Sequence, residues 1–316
     1  LWTREDEIQH GYYHSPSYQK LAATFQKGKL SGWYHAMVNH PIGATFNPAA
    51  RVGGSADLGQ GDAPYDVPHM RIVNGETDTF MRIGWLRSVT NINNAFAASS
   101  FADECAAHLK KDPLAFLLEL IGPDRHIDLQ AEGYGYGNYG ETTERFPIDT
   151  ARLKQVLNTV AKQAEWTRKR PKGHGLGIAV HRSFCSYVGA VIEVSMADNK
   201  LKIEDIHLAI DCGLAINPDR VHSQLEGAAM FAISNALYGQ ITAEKGRVVQ
   251  SNFHDFPLAR INQFPSIRTT IVSSDGPPGG VGEPGVPPVA PALCNAIFAA
   301  SGKRYRDLPL SQFGIV

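Results

Sequence analysis

The chain has no excess of charge of either sign: 30 Lys and Arg stand against 31 Asp and Glu, a formal net charge of -1. That balance removes the electrostatic reason to expect nucleic acid or an acidic lipid surface as partner, so specificity has to come from a pocket or an interface. Cysteine is scarce as well. Cys105, Cys185, Cys212 and Cys294 lie far apart with no C-x-x-C pair, which excludes a zinc site or iron–sulfur cluster built from adjacent ligands in this chain. Two disulfides are arithmetically possible; isolated reduced thiols in the core are the favoured reading. Long apolar runs are missing too. The best candidates, "LAFLLELI" and "GAAMFAISNALYG", have the length of core helices and fall short of the roughly 18 residues of a membrane span. Catalytic signatures of other classes are absent: no H-E-x-x-H, no G-x-S-x-G elbow, and only a weak glycine pattern around His174. Leu1 opens the sequence without an initiator Met or a signal peptide's basic and apolar regions, which reads as a processed product or a fragment.

What is present suits a folded globular protein. With 316 residues, 43% hydrophobic and 19% charged, the length points to about two lobes. The Gly- and Tyr-rich stretch "EGYGYGNYGETTE" marks the boundary, giving lobes 1–145 and 146–316. In the first, a charged turn precedes "SPSYQKLAATF", read as a short helix capped by Ser15 with Pro16 in its first turn. "SGWYHAMVNH" alternates like a strand, 41–78 reads as strand and long loop, and 94–121 as two helices broken at Asp112-Pro113 and stopped at Gly122-Pro123. Asp149 or Thr150 caps the next helix. Four β-branched segments follow, "GHGLGIAVHRSF", "YVGAVIEVSMA", "KLKIEDIHLAID" and "FPSIRTTIVSS", together with a helix capped by Asn217 and a last helix ended by Gly302. Strand runs followed by helices, without regular alternation, specify an α+β fold.

The densest glycine and proline run, "SSDGPPGGVGEPGVPPVAPALCNAIFAA", holds a single glutamate, Glu283. Its glycines let backbone pass close to a bound object while its prolines stiffen the path, so the carboxylate is presented at little entropic cost. On residue physics alone the favoured reading is a loop charge facing solvent or a carboxylate near the dipole of the following helix.

Resemblance adds to this. "GGVGEPGVPPVAPALCNAIFAASGKRYRDLPL" resembles the C-terminal signature of the molybdenum hydroxylases, the xanthine oxidase and aldehyde oxidoreductase superfamily, in which a Glu after Gly-x-Gly stands beside the metal. "AIDCGLAINPDRVHSQLEGAAMFAISNALYG" is similar to the family's Asp-x-Gly, Asn-Pro and Gln-x-Glu-Gly-Ala segment. "GWLRSVTNINNAFAASSFADECAAHLKKDPLAF" resembles the loop and helix from which an Arg reaches the site. With "GLGIAVHRSFCSYVGAVIEV", the wording is nearest to the isoquinoline 1-oxidoreductase beta subunit and bacterial aldehyde dehydrogenase branch, and the likeness covers nearly the whole chain.

The resemblance implies the fold of the molybdopterin-binding domain in two mixed sheet-and-helix lobes, and a bacterial oxidoreductase that hydroxylates an aldehyde or N-heteroaromatic compound with oxygen from water. Carried over residue by residue, Glu283 is the general base and Arg87 a catalytic group that orients substrate or stabilises developing charge. Gln224, Glu226, Gly227, Ser88, Val89, Gly280 and Gly282 face the cofactor, and no side chain ligates the metal. The backbone N–H groups of Gly282 and Gly285 are then expected to tune the carboxylate. For Arg87 the competing reading is a buried salt bridge to Asp103 or Glu104.

The implied cofactor is molybdenum with molybdopterin cytosine dinucleotide, shared with an N-terminal half of the large subunit that this chain lacks, either a missing segment or a separate chain. That half carries a Gly-Gln-Gly loop; "LGQGDAPYDVP" here continues into a different block, so Gln60 reads as a loop residue. Further implied partners are a small-molecule substrate and an iron–sulfur small subunit bearing 2Fe-2S clusters, with no nucleic acid and no membrane span. The branch includes exported members, which favours the bacterial periplasm over the cytoplasm. The competing class is a non-catalytic assembly or binding domain that keeps the fold without turning over.

Overall fold

The computed structural model describes residues 1–52, 58–78 and 81–316. A seven-residue helix, α1 (Arg4–His10), forms where a charged turn is expected, because Thr3 and Asp6 close a capping box around its first turn. The expected helix after Ser15 is instead a strand. β1 (Ser17–Gln26) pairs antiparallel with β2 (Lys29–Asn39) across a hairpin whose tip, Lys27-Gly28, has both φ angles positive. Its burial alternates residue by residue, Leu21, Ala23 and Phe25 turning inward, and that period of two outweighs the Ser-Pro start signal. Ser15 caps nothing; its hydroxyl donates to the carbonyl of His40 at 2.7 Å. β3 (His69–Asn74) lies parallel to β2 and completes this sheet; residues 53–57 of the expected long loop fall outside the described residues.

Two helices follow as their breakers dictate. α2 (Asn91–His108) stops before Asp112, whose side chain caps α3 (Pro113–Ile121) by accepting from Ala115 N at 3.0 Å, and Gly122 ends α3 at φ 77°. A two-residue pair, β4 (His126–Ile127) with β5 (Ile148–Asp149), leads into α4 (Thr150–Gln163), capped by Asp149. Then come β6 (His174–Ser183), β7 (Ser186–Ala197) and β8 (Lys200–Asp211), α5 (Pro218–Tyr238), the small pair β9 (Ala243–Glu244) and β10 (Arg247–Val248), β11 (Ile267–Ile271) and α6 (Val289–Ser301). The four segments expected as strands form one sheet in the order β11-β8-β7-β6, parallel at the β11 edge and antiparallel elsewhere. Mixed sheets with separate helices make the fold α+β.

This sheet is buried on both faces, which is why its strands read as nearly unbroken apolar runs. Val188, Ala190, Ile192 and Val194 of β7 face a core filled by α5 and α6. Tyr187 and Val191 face a second core with α2, α3 and α4, which draws on both sides of residue 145 through Trp33, Phe116, Leu157 and Val180. All four cysteines are buried as free thiols. No helix among the described residues is long and apolar enough to cross a membrane.

Helix α6 sits on β6 closely enough to require glycine. A Cβ at Gly177 would lie 2.1 Å from the Ala292 carbonyl oxygen and 2.2 Å from the Ala296 nitrogen, and one at Gly175 2.4 Å from the Ala300 nitrogen. Because the obstacles are backbone, Gly177→Ala should cost about 3 kcal/mol in denaturant unfolding, while Gly135→Ala, which meets nothing, stays within about 0.5 kcal/mol of the parent.

A second prediction concerns acid. His35 on β2 is buried with its Nε2 2.6 Å from Gln19 Oε1, and burial pushes its pKa down to about 4. Between an unfolded value near 6.5 and the folded value, the unfolded chain holds a proton that the folded chain refuses. Stability therefore falls as pH drops through that window, by roughly 3 kcal/mol once it is crossed. In His35→Gln, whose amide can keep the contact with Gln19, denaturant unfolding near pH 7 and near pH 5 should differ less than in the parent.

Candidate functional site

Three segments far apart in sequence meet at one place: the turn before α2, the second turn of α5, and the Gly-Pro loop before α6. The turn is held in an unusual backbone conformation, with Ser88 at φ 76° and Val89 at φ 50°. Left-handed backbone is uncommon outside glycine and an outlier for a β-branched residue such as valine; it costs on the order of 1–3 kcal/mol and persists only where surroundings enforce it. Here Val89 N donates to Leu86 O at 2.8 Å, and the carbonyl of Val89 lies 3.0 Å from Nε2 of His14. Burial lowers the pKa of His14, which keeps its ring neutral with a proton to donate to that carbonyl.

The result of this conformation is that Ser88 holds Glu283 twice. Its backbone N–H donates to Glu283 Oε1 at 2.9 Å, and its hydroxyl donates to the Glu283 carbonyl at 2.6 Å. Ser88 is wholly buried, while the half-buried carboxylate has Oε2 turned to neither of these donors. The amide that reaches the carboxylate thus comes from 195 residues away, in place of the expected Gly282 and Gly285 N–H groups.

Arg87 ties the remaining pieces. Its Nε donates to the Gly282 carbonyl at 2.6 Å, and its Nη2 donates to the backbone oxygen of Gln224 at 3.1 Å and to Gln224 Oε1 at 2.8 Å. Burial lowers its pKa, and the nearby Glu283 carboxylate acts the other way. The competing salt bridges are made by other partners: Asp103 binds Arg304, and Glu104 binds Arg306 through both of its oxygens.

The other expected residues stand as follows. Gln224 and Glu226 are exposed on α5, and Gly227 lies beneath Arg87, where a Cβ would come within 3.8 Å of Nη1. Gly280 is spent on structure: its N–H donates to Phe184 O at 2.8 Å, and its carbonyl accepts from Ser186 Oγ at 2.7 Å. Gly282 faces open space, since a Cβ there would meet nothing within 4 Å. Gln60 lies elsewhere: it is buried, with Nε2 donating to His35 O at 3.0 Å. Residues that sequence reasoning did not single out include His14, Phe184 at the tip between β6 and β7, Ser186 at the start of β7, and Asp211 at the end of β8. Asp211, the Asp of the Asp-x-Gly motif, and Phe184 and Ser186 lie inside quoted motifs that gave them no role, and His14 stands just before the segment that starts at Ser15.

Among the described residues no group of three or more His, Cys, Asp or Glu side chains is placed to hold a metal ion. The junction offers amide, guanidinium and carboxylate groups around an open glycine, a donor set that fits a polar group bringing its own metal ligands.

The clamp can be tested directly. A lysine offers one ammonium where Arg87 spans three acceptors in a planar fork. Arg87→Lys should lower stability by about 1 kcal/mol in denaturant unfolding and make the chain near Gly282 more sensitive to limited proteolysis. An unchanged cleavage pattern would mean that the clamp does not hold the loop.

Residues 152–265 match the molybdopterin cofactor-binding domain model, a span that contains Gln224. The isoquinoline 1-oxidoreductase subunit beta of Brevundimonas diminuta is 27% identical over 98% of this chain and 38% of its own length. A membrane-bound aldehyde dehydrogenase (pyrroloquinoline-quinone) of Gluconacetobacter polyoxogenes is 27% identical over 98% of this chain and 41% of its own length. In three dimensions, the aldehyde oxidoreductase from Desulfovibrio gigas superposes with a TM-score of 0.74 at 14% identity, covering 98% of this chain and 49% of that one, which establishes the shared fold. The chain thus spans about two-fifths of the length of these curated relatives. Residues 152–265 thus match a molybdopterin cofactor-binding domain, and the chain as a whole is similar in sequence to these oxidoreductase and dehydrogenase relatives over 98% of its length and shares the fold of the aldehyde oxidoreductase.

Proposed function

We propose that this chain forms the base-bearing side of a molybdenum-cofactor oxidoreductase that hydroxylates an aldehyde or an N-heteroaromatic compound with oxygen from water. The observation that carries the reading is the convergence of Arg87–Ser88, Gln224 and Gly282–Glu283, joined by hydrogen bonds across 137 and 195 residues of sequence. The names of the two curated relatives, an oxidoreductase for isoquinoline and an aldehyde dehydrogenase, support the substrate classes. The cofactor in this proposal is molybdopterin cytosine dinucleotide, completed by the rest of a large subunit, with 2Fe-2S clusters on a separate small subunit that carries electrons away. The designation "subunit beta" of the Brevundimonas relative supports a partner chain.

When bound, the cofactor supplies the activated water oxygen and accepts two electrons from the substrate. The chain's own groups supply acid–base control and position. Glu283 is the base, and Oε2 is the atom that takes the proton, because Oε1 is already held by the Ser88 N–H. Fixing one oxygen sets the direction of the other, so little reorganisation accompanies proton transfer. Gln224 Oε1 accepts from Arg87, which leaves the amide NH₂ of this exposed side chain to donate toward the cofactor. Arg87 has Nε and Nη2 committed to Gly282 and Gln224, so only Nη1 remains to meet a developing negative charge.

In the complete enzyme, Glu283→Gln keeps the shape and the Ser88 contact but removes the base. Turnover should fall by roughly 10²- to 10⁴-fold with molybdenum and pterin content unchanged. Retained turnover would refute the assignment of Glu283, and a cofactor missing from both parent and variant would refute the enzyme reading.

A further inference from the structure

Asp211 is fully buried at the C-terminal end of β8, and among the described residues its one salt-bridge partner is Arg152 on α4. The contact is two-pronged: Nε donates to Oδ2 at 2.8 Å and Nη2 to Oδ1 at 2.5 Å. The guanidinium is itself confined, with its carbon 4.7 Å from the centre of the Tyr187 ring. Tyr187 is in turn fixed by donating to Pro147 O and accepting from Asp149 N, both at 2.8 Å. Nothing in the reaction described above uses these groups. A charge pair taken out of water is costly to keep unless it holds something in place, which makes its surroundings informative.

What it holds is the turn at the end of β8. Asp211 Oδ1 also accepts from the N–H of Gly213 at 2.9 Å, which fixes Gly213 at φ 68°. Against that turn runs the start of the Gly-Pro loop, so close that a Cβ on Gly213 would lie 2.2 Å from the carbonyl oxygen of Pro277. Two backbone bonds join them, Leu214 N to Gly276 O at 2.9 Å and Gly279 N to Cys212 O at 2.8 Å. Gly276 also packs on the guanidinium itself, a Cβ there standing 3.3 Å from Arg152 Nη1. From Gly279 the path continues through the Gly280 contacts with Phe184 and Ser186 to Gly282 and Glu283.

We propose that the buried Arg152–Asp211 pair is the positioning device of the Glu283 loop, setting the loop's start against the end of β8 and thereby the direction of the carboxylate. Arg152 and Asp211 are positioning residues; neither touches the reacting atoms. The kinetic part of this inference rests on Glu283 acting as the base, whereas the structural part does not.

The test compares Asp211→Asn, Arg152→Gln, the double variant, and Arg152→Lys, which keeps the charge but not the fork. The first readout is amide hydrogen exchange on the full chain. The N–H groups of Leu214, Gly279 and Gly280 should exchange faster in Asp211→Asn and Arg152→Gln, while those of Val191 and Ile192 in the middle of β7 remain protected. The second readout is steady-state kinetics of the complete enzyme. A displaced base lowers kcat, by about 10²-fold if the carboxylate moves by an ångström, with KM within about twofold. The double variant should lose less than the product of the two single losses, because the pair acts as a unit. Should the neutralised variants fail to fold, Arg152→Lys decides by the same two readouts, with intermediate losses expected. The proposal is overturned if loop amides and kcat match the parent in the folded variants, or if protection is lost equally across β6, β7 and β8, which would make the pair a general support of the sheet. If the loop amides loosen and kcat falls while Glu283→Gln retains turnover, the positioning stands and the assignment of the base falls.

Discussion

The close seat of α6 on β6 is the constraint from which the rest of the molecule follows. Glycines at 175 and 177 let the helix backbone touch the sheet backbone, so α6 has little freedom to slide or tilt. A loop that ends at such a helix inherits a fixed endpoint. The Gly-Pro segment is pinned at its far end by α6 and at its near end by the turn after β8, and Pro277, Pro278, Pro284, Pro287 and Pro288 remove much of its remaining freedom. Glu283 sits near the far end, where the stiffness is used.

Strain complements this rigidity. The left-handed pair Ser88-Val89 aims an amide and a hydroxyl at the same residue, which ordinary helical or extended backbone at the start of α2 would not do. Half-buried side chains supply the holding force: His14 on the carbonyl of Val89, and Arg87 across three acceptors. Each is a charged or polar group bonded to backbone, so the site depends on main-chain position more than on the identity of neighbouring side chains.

Much of the fold was legible in the sequence. Asp112-Pro113, Asp149, Asn217-Pro218 and Gly302 mark helix ends because each solves a local bonding problem at the terminus. The segment after Ser15 misled because Ser-Pro is a local start signal, whereas the inward period of two at Leu21, Ala23 and Phe25 acquires its meaning only from pairing with β2. The motifs named Arg87, Ser88, Gln224, Gly282 and Glu283, which the fold joins by hydrogen bonds, but not the arrangement in which they meet. Glycine N–H groups next to Glu283 looked like its natural donors, yet the donor is Ser88, and no local rule connects positions 195 apart. The pair of Arg152 and Asp211 stayed hidden for the same reason: a charge on a helix face and one at a strand end are ordinary until the chain is folded.

That long-range origin of the junction ties occupancy to folding. An unfolded or half-folded chain presents Arg87, Gln224 and Glu283 as three unrelated pieces, so a group that needs all three binds the native state alone. By mass action such a group would stabilise the fold by RT ln(1 + [L]/Kd), raising the cost of any opening that separates the three segments. The cofactor-free chain would then be the form most exposed to degradation, and the supply of cofactor would set how much folded chain persists.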